Sequence, residues 1–185
     1  DGSSPPQKQE RVRVIRHPKN RGYGAAQKTG YAQAMEDGAD RIVLLHGDGQ
    51  YPVGPTIALA DDLAEHDAVL GSRFLVDGGA AIPSWRRWGN RFLSGFANLR
   101  LGCELSELHT GARAFRSEAL RELPIHRYSD NYLFDQQILV GLLRQGRSIG
   151  EAPVHARYDD TVMSISPVEA VRYGLGCLRV IARGP

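Results

Sequence analysis

The sequence predicts an α/β fold in which a mostly parallel sheet is flanked by helices. Two observations carry this. Strand-like and helix-like patterns alternate along the chain. The apolar run Ile42-Val-Leu-Leu45 also breaks into Gly47-Asp48-Gly49-Gln50-Tyr51-Pro52, so polar groups collect just past the carboxyl end of a strand. Ligands of open α/β sheets bind at that place. With 185 residues the chain has room for a single domain, 1–185, with a sizeable core.

The elements follow in order. Asp1-Gly2-Ser3-Ser4-Pro5-Pro6 is loop chemistry. Val12-Arg-Val-Ile15 reads as a short strand, and residues 24 to 37 as a helix with Ala25, Ala26, Ala32 and Met35 inside. Ile42–Leu45, unbroken by polar residues, is expected to be a central parallel strand covered on both faces. A helix is predicted from Pro55 to Glu65, then a strand at Ala68–Leu70 running into Gly71-Ser72-Arg73. Trp85, Trp88, Phe92, Phe96 and Leu99 recur at spacings of 3 and 4 and predict a strongly amphipathic helix. Its tryptophans read most simply as core or interface packing. Further helices are predicted from Ser117 and over Tyr132–Gln145, with a late strand over Ile149–His155. The apolar, arginine-bearing segment 166–183 is an amphipathic helix that packs on the core or lies on an anionic membrane face.

Composition narrows the function. The chain is 42% apolar and 24% charged, ordinary for a globular protein, and a net charge of +2 gives no case for a nucleic-acid partner. Arginine supplies 20 of the 23 basic residues. Guanidinium groups grip phosphate bidentately, so this bias suits phosphorylated ligands, though a genome-wide preference for arginine would look the same. Cys103 and Cys177 lack a CxxC partner, which indicates neither a zinc site nor a disulfide and fits a reducing compartment. No apolar run reaches the roughly 18 residues that span a bilayer.

Asp48 is the centre of the chemistry. A carboxylate between glycines at a strand end can hold a divalent cation, and the glycines admit a diphosphate close to the backbone. An Asp-Gly turn without a ligand has the same local sequence. The surrounding segments decide between them. Asp1-Gly2-Ser3-Ser4, Asn20-Arg21-Gly22-Tyr23-Gly24-Ala25-Ala26 with Gly30, His46-Gly47-Asp48-Gly49-Gln50-Tyr51-Pro52, Gly71-Ser72-Arg73, His109-Thr110-Gly111-Ala112-Arg113-Ala114-Phe115 and Glu151-Ala152-Pro153-Val154 occur in that order. Together they resemble the motif series of family 2 glycosyltransferases, particularly the branch that loads sugars onto polyprenyl phosphates and includes dolichol-phosphate mannosyltransferase.

The resemblance implies a GT-A fold and an inverting transfer of a hexose from a UDP- or GDP-sugar, with magnesium or manganese on the donor diphosphate. The implied acceptor is a polyprenyl phosphate met at the cytoplasmic face of a membrane. Asp48 is expected to bind the metal, with Gln50 completing or orienting the site. His46 stands where the family has its first acidic residue; it can ligate manganese, bond the ribose or phosphate, or merely fill a strand end. Asp1, Asn20, Gly22, Gly24 and Arg157 are expected on the donor, with Arg157 at the start of a stretch that closes over it in the family. Arg73 and Arg87 are expected to hold the acceptor phosphate, with Arg86 and Arg91 close by. Asp135 is the candidate base; the family's acidic residue commonly sits at the place of Gln137, and Asp135 can instead serve the helix dipole.

The resemblance also implies that a strand-helix-strand unit precedes residue 1 in a full-length domain. His46 and Gln137, both in place of carboxylates, leave a non-catalytic nucleotide-sugar-binding or scaffolding module as the alternative. A nucleotidyltransferase of related fold lacks support, because no Gly-rich, Lys-bearing phosphate loop is present.

Overall fold

The computed structural model describes residues 12–76, 84–157 and 167–185. The elements are α1 (Tyr23–Glu36), β1 (Arg41–Leu44), α2 (Val53–Ala58), β2 (Ala68–Ser72), α3 (Ser84–Leu101), β3 (Arg113–Arg116), α4 (Ser117–Arg121), α5 (Leu133–Arg144), β4 (Ile149–Pro153) and α6 (Pro167–Arg183), with 3₁₀ turns at Asp62–Ala64 and Ile125–Arg127. The strands form one sheet in the order β1-β3-β2-β4. β2 pairs with β4 in parallel, while β3 runs antiparallel to both β1 and β2.

Alternate residues of the strands serve opposite faces, so the sheet separates two cores. Ala68, Leu70 and Phe115 meet Tyr31 of α1, Phe134, Ile138 and Leu142 of α5, and Ile181 of α6. Val69, Ala112 and Ala114 point the other way and meet Tyr51, Leu59, Leu63 and Val154. The result is helix, sheet and helix in three layers. Gly146 stops α5 at φ 73°, a conformation that L side chains rarely adopt, and lets Arg147 N–H close on Leu142 O at 3.0 Å. Cys103 and Cys177 are both free thiols. Among the described residues no helix is long and apolar enough to cross a membrane.

Several expectations need correction. Residues 12–15 form no strand; Val12, Val14 and Ile15 are exposed, and β propensity without a paired neighbour does not make one. In α1 the inward side chains are Ala25, Gln27 and Tyr31, whereas Ala26 and Ala32 face solvent. A polar residue, Gln27, therefore takes a place that an apolar pattern assigns to alanine. The expected parallel neighbours of β1 are replaced, among the described residues, by antiparallel β3, and Leu45 lies beyond the strand and is exposed. The helix expected over Pro55–Glu65 divides into α2 and the 3₁₀ turn at Asp62–Ala64.

Two further differences concern β3 and α3. β3 is central, yet its sequence Arg-Ala-Phe-Arg carries arginine at both ends, which hides a buried strand from an apolar pattern. α3 forms as predicted, but Ser94 and Ala97 are its buried side and the tryptophans are exposed. Small residues let α3 approach closely, and Ser94 Oγ accepts from Leu108 N–H at 3.2 Å.

The entry to α1 depends on close approach. A Cβ on Gly24 would stand 2.6 Å from Ser129 O, 2.8 Å from Phe134 Cβ and 2.9 Å from Asn131 O, whereas nothing lies within 4 Å of one on Gly30. Gly24→Ala should therefore lower stability by about 1–3 kcal/mol, as overpacking against backbone does. Gly30→Ala, in the same helix, should raise it by about 0.5–1 kcal/mol. Thermal denaturation of the two variants checks this; equal melting temperatures would contradict the packing.

Candidate active site

The loops that leave the carboxyl ends of β1 and β2 meet the segment entering β3 at one edge of the sheet, because β3 runs the opposite way. They enclose a cavity of about 250 Å³. Its wall takes Tyr23 from α1, His46, Gln50 and Tyr51 from beyond β1, Arg73 from beyond β2, and Arg86 from α3. His109, Thr110, Gly111 and Arg113 come from the approach to β3, Tyr132 and Asp135 from the start of α5, and Tyr173 from α6. A second hollow, of about 490 Å³, lies around Arg41, Arg116 and Arg121. Its guanidinium groups are spent on main-chain carbonyls: Arg41 on Ala60, Arg116 on Leu63 and His66, Arg121 on Met35. That hollow ties loops together, while the first cavity gathers chemistry.

Asp135 is the hub of the first cavity. Its Oδ1 accepts from Gln27 Nε2 at 2.8 Å and its Oδ2 from Tyr23 Oη at 3.0 Å. The Arg113 guanidinium lies 3.6 Å from Oδ2 and also donates to the Asp135 carbonyl at 3.1 Å. Gln137 faces elsewhere, its Oε1 accepting from Ser129 N–H at 2.7 Å. Of the two positions weighed for the acidic residue, only Asp135 lines the cavity.

Tyr23 passes this order on to His46, whose Nε2 lies 2.9 Å from the same hydroxyl. A phenol has one proton, and Asp135, paired with Arg113, accepts it. His46 Nε2 must then donate to Tyr23 Oη. Burial holds the His46 pKa below its ordinary value, against the opposing pull of Asp135 and Asp48. The neutral ring with a protonated Nε2 leaves a lone pair on Nδ1. The ring is clamped edge-on against Tyr23 and Tyr51, at centroid distances of 5.7 and 5.9 Å. A Cβ on Gly111 would come within 2.4 Å of its Cε1, so the glycine makes room for the imidazole.

The turn after His46 is open. Asp48 is exposed, and its Oδ1 accepts from Gln50 N–H at 3.0 Å. Nothing lies within 4 Å of where a Cβ would stand on Gly47 or Gly49, which leaves room for a ligand beside the backbone. Arg157 N–H donates to Gln50 O at 2.8 Å, which fixes the start of the stretch after β4 to this turn, though the Arg157 side chain is exposed. Among the described residues no three His, Cys, Asp or Glu side chains come together to hold a metal. The donor set is no cage for a bare ion. It does suit magnesium or manganese that takes most of its ligands from water and phosphate.

Arg73 and Glu107 form a buried pair. The guanidinium engages both carboxylate oxygens, Nε at 2.9 and 3.1 Å, and the Arg73 N–H adds a bond of 2.9 Å. Asn90 donates to Glu107 Oε1 at 3.0 Å, and Glu151 holds the Ser106–Glu107 turn through both backbone N–H groups. The arginine that α3 sends to the cavity beside Arg73 is Arg86; Arg87 is not part of the wall.

The remaining expected donor contacts divide. Asn20 Oδ1 accepts from Gly22 N–H at 2.8 Å, and a Cβ on Gly22 would stand 2.4 Å from Asp130 O. Gly24 N–H donates to Asp130 O at 2.8 Å. These residues thus seat α1 on the segment before α5, and neither glycine lines the cavity. Asp1 and the segment 158–166 lie outside the described residues. Sequence reading passed over Tyr23, Gln27 and Arg113, although Tyr23 and Arg113 sit inside quoted motifs. Tyr51 sits inside one as well, while Glu107, Tyr132 and Tyr173 carried no signal, since each depends on partners far along the chain.

His109 makes the site sensitive to acid. Its Nε2 is buried without a hydrogen-bond partner among the described residues, and its Nδ1 lies 3.1 Å from Tyr173 Oη. Burial, with the Arg113 and Arg73 cations, pushes the imidazole down to about 3. The unfolded chain takes this proton near the ordinary value of about 6.5, so His109 costs nothing above that pH. As pH falls from about 6.5 toward the folded value, stability is lost by up to about 1.4 kcal/mol per pH unit. Melting temperatures followed from about pH 8 down to about pH 5 should fall, and more steeply than in His109→Gln. Parallel curves would remove His109 as the cause.

Known proteins share this architecture. The family model "Glycosyl transferase family 2" matches residues 3–124. The chain is 26% identical over 175 residues to an undecaprenyl-phosphate mannosyltransferase of Micrococcus luteus, covering 89% of this chain and 72% of that protein. It is 28% identical over 157 residues to a UDP-N-acetylglucosamine–dolichyl-phosphate N-acetylglucosaminyltransferase of Methanococcus voltae, covering 83% and 62%. The solved structure of glucosyl-3-phosphoglycerate synthase from Mycobacterium tuberculosis, in complex with UDP, superposes with a TM-score of 0.65 at 18% identity. That likeness covers 93% of this chain and 58% of the other, and it shows the fold. The chain has the GT-A fold and belongs to glycosyl transferase family 2.

Proposed function

We propose that the chain carries the catalytic site of an inverting glycosyltransferase that moves a hexose from a nucleotide diphosphate to a polyprenyl phosphate. The observation that carries this is the convergence of the exposed Asp48 turn, Asp135 and the cavity arginines at one sheet edge. Arg73, Arg86 and Arg113 line the cavity, with Arg73 paired to Glu107 and Arg113 to Asp135. Guanidinium groups in a cavity wall suit anions such as diphosphate and phosphate. The Micrococcus and Methanococcus relatives, whose names specify polyprenyl-phosphate acceptors, support the same choice.

The residues divide the work. The open turn at Gly47–Gly49 admits the donor diphosphate, and Asp48 would hold a magnesium or manganese ion there, with Gln50 and His46 as the neighbouring polar side chains of the same segment. When bound, such an ion neutralises charge on the departing nucleoside diphosphate. Both oxygens of Asp135 already accept hydrogen bonds. Its service is to hold Tyr23 and Arg113 in place, which a phosphate acceptor permits, since an ionised phosphate attacks without surrendering a proton. The Arg73 and Arg86 side of the cavity suits that phosphate.

The engagement of Asp135 is also what a binding module without turnover would show. Release of nucleoside diphosphate from a panel of nucleotide hexoses, with and without manganese and a polyprenyl phosphate, separates the readings. Metal-dependent release supports the transferase; nucleotide binding with no release supports the module. Asp48→Asn should abolish metal-dependent release, by at least about 100-fold given the usual weight of charge stabilisation at a leaving group. Its melting temperature should stay unchanged, because Asp48 is exposed. Wild-type turnover in that variant would refute the metal role.

A further inference from the structure

Four tyrosines line the cavity, and the fold puts three of their hydroxyls to use. Tyr23 Oη serves Asp135 and His46, Tyr51 Oη accepts from Gly111 N–H at 2.9 Å, and Tyr173 Oη lies 3.1 Å from His109 Nδ1. Tyr132 is different. Its hydroxyl makes no hydrogen bond to the described residues. Tyr23 leans on its ring at a centroid distance of 4.9 Å, with the planes inclined by 35°, yet Tyr132 is 52% exposed. It is the N-cap residue of α5, three positions before Asp135, so the two sit on one side of the first turn. An aromatic ring set in a cavity wall with half its surface in solvent is a surface for a ligand.

We propose that Tyr132 seats the hexose during transfer, its ring against the C–H face of the pyranose. The seat deepens the transferase reading and rests on it. Two features favour the sugar over the nucleobase. In a displacement between two phosphates the anomeric carbon lies between the leaving and the attacking oxygen, so the hexose occupies the cavity that receives both. The base hangs beyond the diphosphate. The cavity, about 250 Å³, is also smaller than the roughly 300–1,000 Å³ that encloses a whole drug-sized ligand, so it receives one ring of a nucleotide sugar. The chemistry matches. A pyranose carries C–H groups on its faces and hydroxyls at its rim. The negative face of an aromatic ring attracts polarised C–H groups, and the contact removes apolar surface from water.

Calorimetric binding of UDP-glucose, UDP-galactose and GDP-mannose, beside UDP and GDP and with manganese present, tests the seat. Tyr132→Ala and Tyr132→Leu should weaken the nucleotide hexose that the parent binds by about fivefold or more, the weight of one aromatic contact. Binding of the matching nucleoside diphosphate should not change. Tyr132→Phe keeps the ring and should stay within about twofold of the parent. Tyr132→Leu keeps bulk against Tyr23, so its loss at an unchanged melting temperature reports the ring and not the fold. The proposal is overturned if the Ala and Leu variants bind the nucleotide hexose like the parent, or if the parent binds none. Equal weakening of the nucleoside diphosphate would give the ring to the base and overturn it too. No turnover enters the measurement. Selective loss of hexose affinity in a chain that transfers nothing would keep the seat and remove the transferase, and unchanged affinity in a chain that transfers sugar would do the reverse.

Discussion

The buried pair between Arg113 and Asp135 organises this molecule. Arg113 is 2% exposed and Asp135 7%. Two charges removed from water cost several kcal/mol each unless every polar atom is matched. Here the matching is nearly complete. Gln27 and Tyr23 fill the carboxylate, while Thr110 O and Asp135 O take N–H groups of the guanidinium. Because the pair joins β3 to α5 and its partners come from α1, it fixes the relation of three elements at the sheet edge. Removing either charge would strand the other in a low-dielectric interior.

The rest of the site follows from that constraint. Asp135 claims the Tyr23 proton, Tyr23 then sets the tautomer of His46, and Gly111 leaves space for the ring. On the far side Arg73 and Glu107 repeat the arrangement, held by Asn90 and by Glu151 behind the turn. Both walls are thus rigid and charged, while the Asp48 turn between them is exposed and lightly held. A preorganised wall beside an open loop suits a site whose ligand brings its own charge and counter-ion.

Much of this fold was legible because apolar patterning reports helices and strands directly; α3, α5 and β2 follow from it, and α1 and β4 were placed although Gln27 lies inside the one and Glu151 within the other. The remainder was hidden for particular reasons. β3 has arginine at both ends, and a strand whose charges are buried and paired looks like a surface segment in sequence. The stripe of α3 has the same spacing whether it faces core or solvent, so Trp85 and Trp88 could not reveal their side. Of the residues around the cavity, His46, Gln50, Arg73 and Asp135 on its wall and Asp48 on the turn beside it were singled out from motif order. Gln27 and Glu107 were not, since their meaning lies in partners 108 and 34 residues away. Gly22 and Gly24 were matched to a ligand motif, yet their geometry answers to packing against residues 129–134.

Sugar transfer itself tests the account most directly. The full chain, supplied with nucleotide hexoses, manganese and a polyprenyl phosphate, is predicted to yield a lipid-linked hexose detected by mass spectrometry. Nuclear magnetic resonance of that product should show the anomeric configuration opposite to the donor's. Retained configuration would contradict the direct displacement inferred here, and nucleotide binding without transfer to any phosphate acceptor would contradict the transferase as a whole.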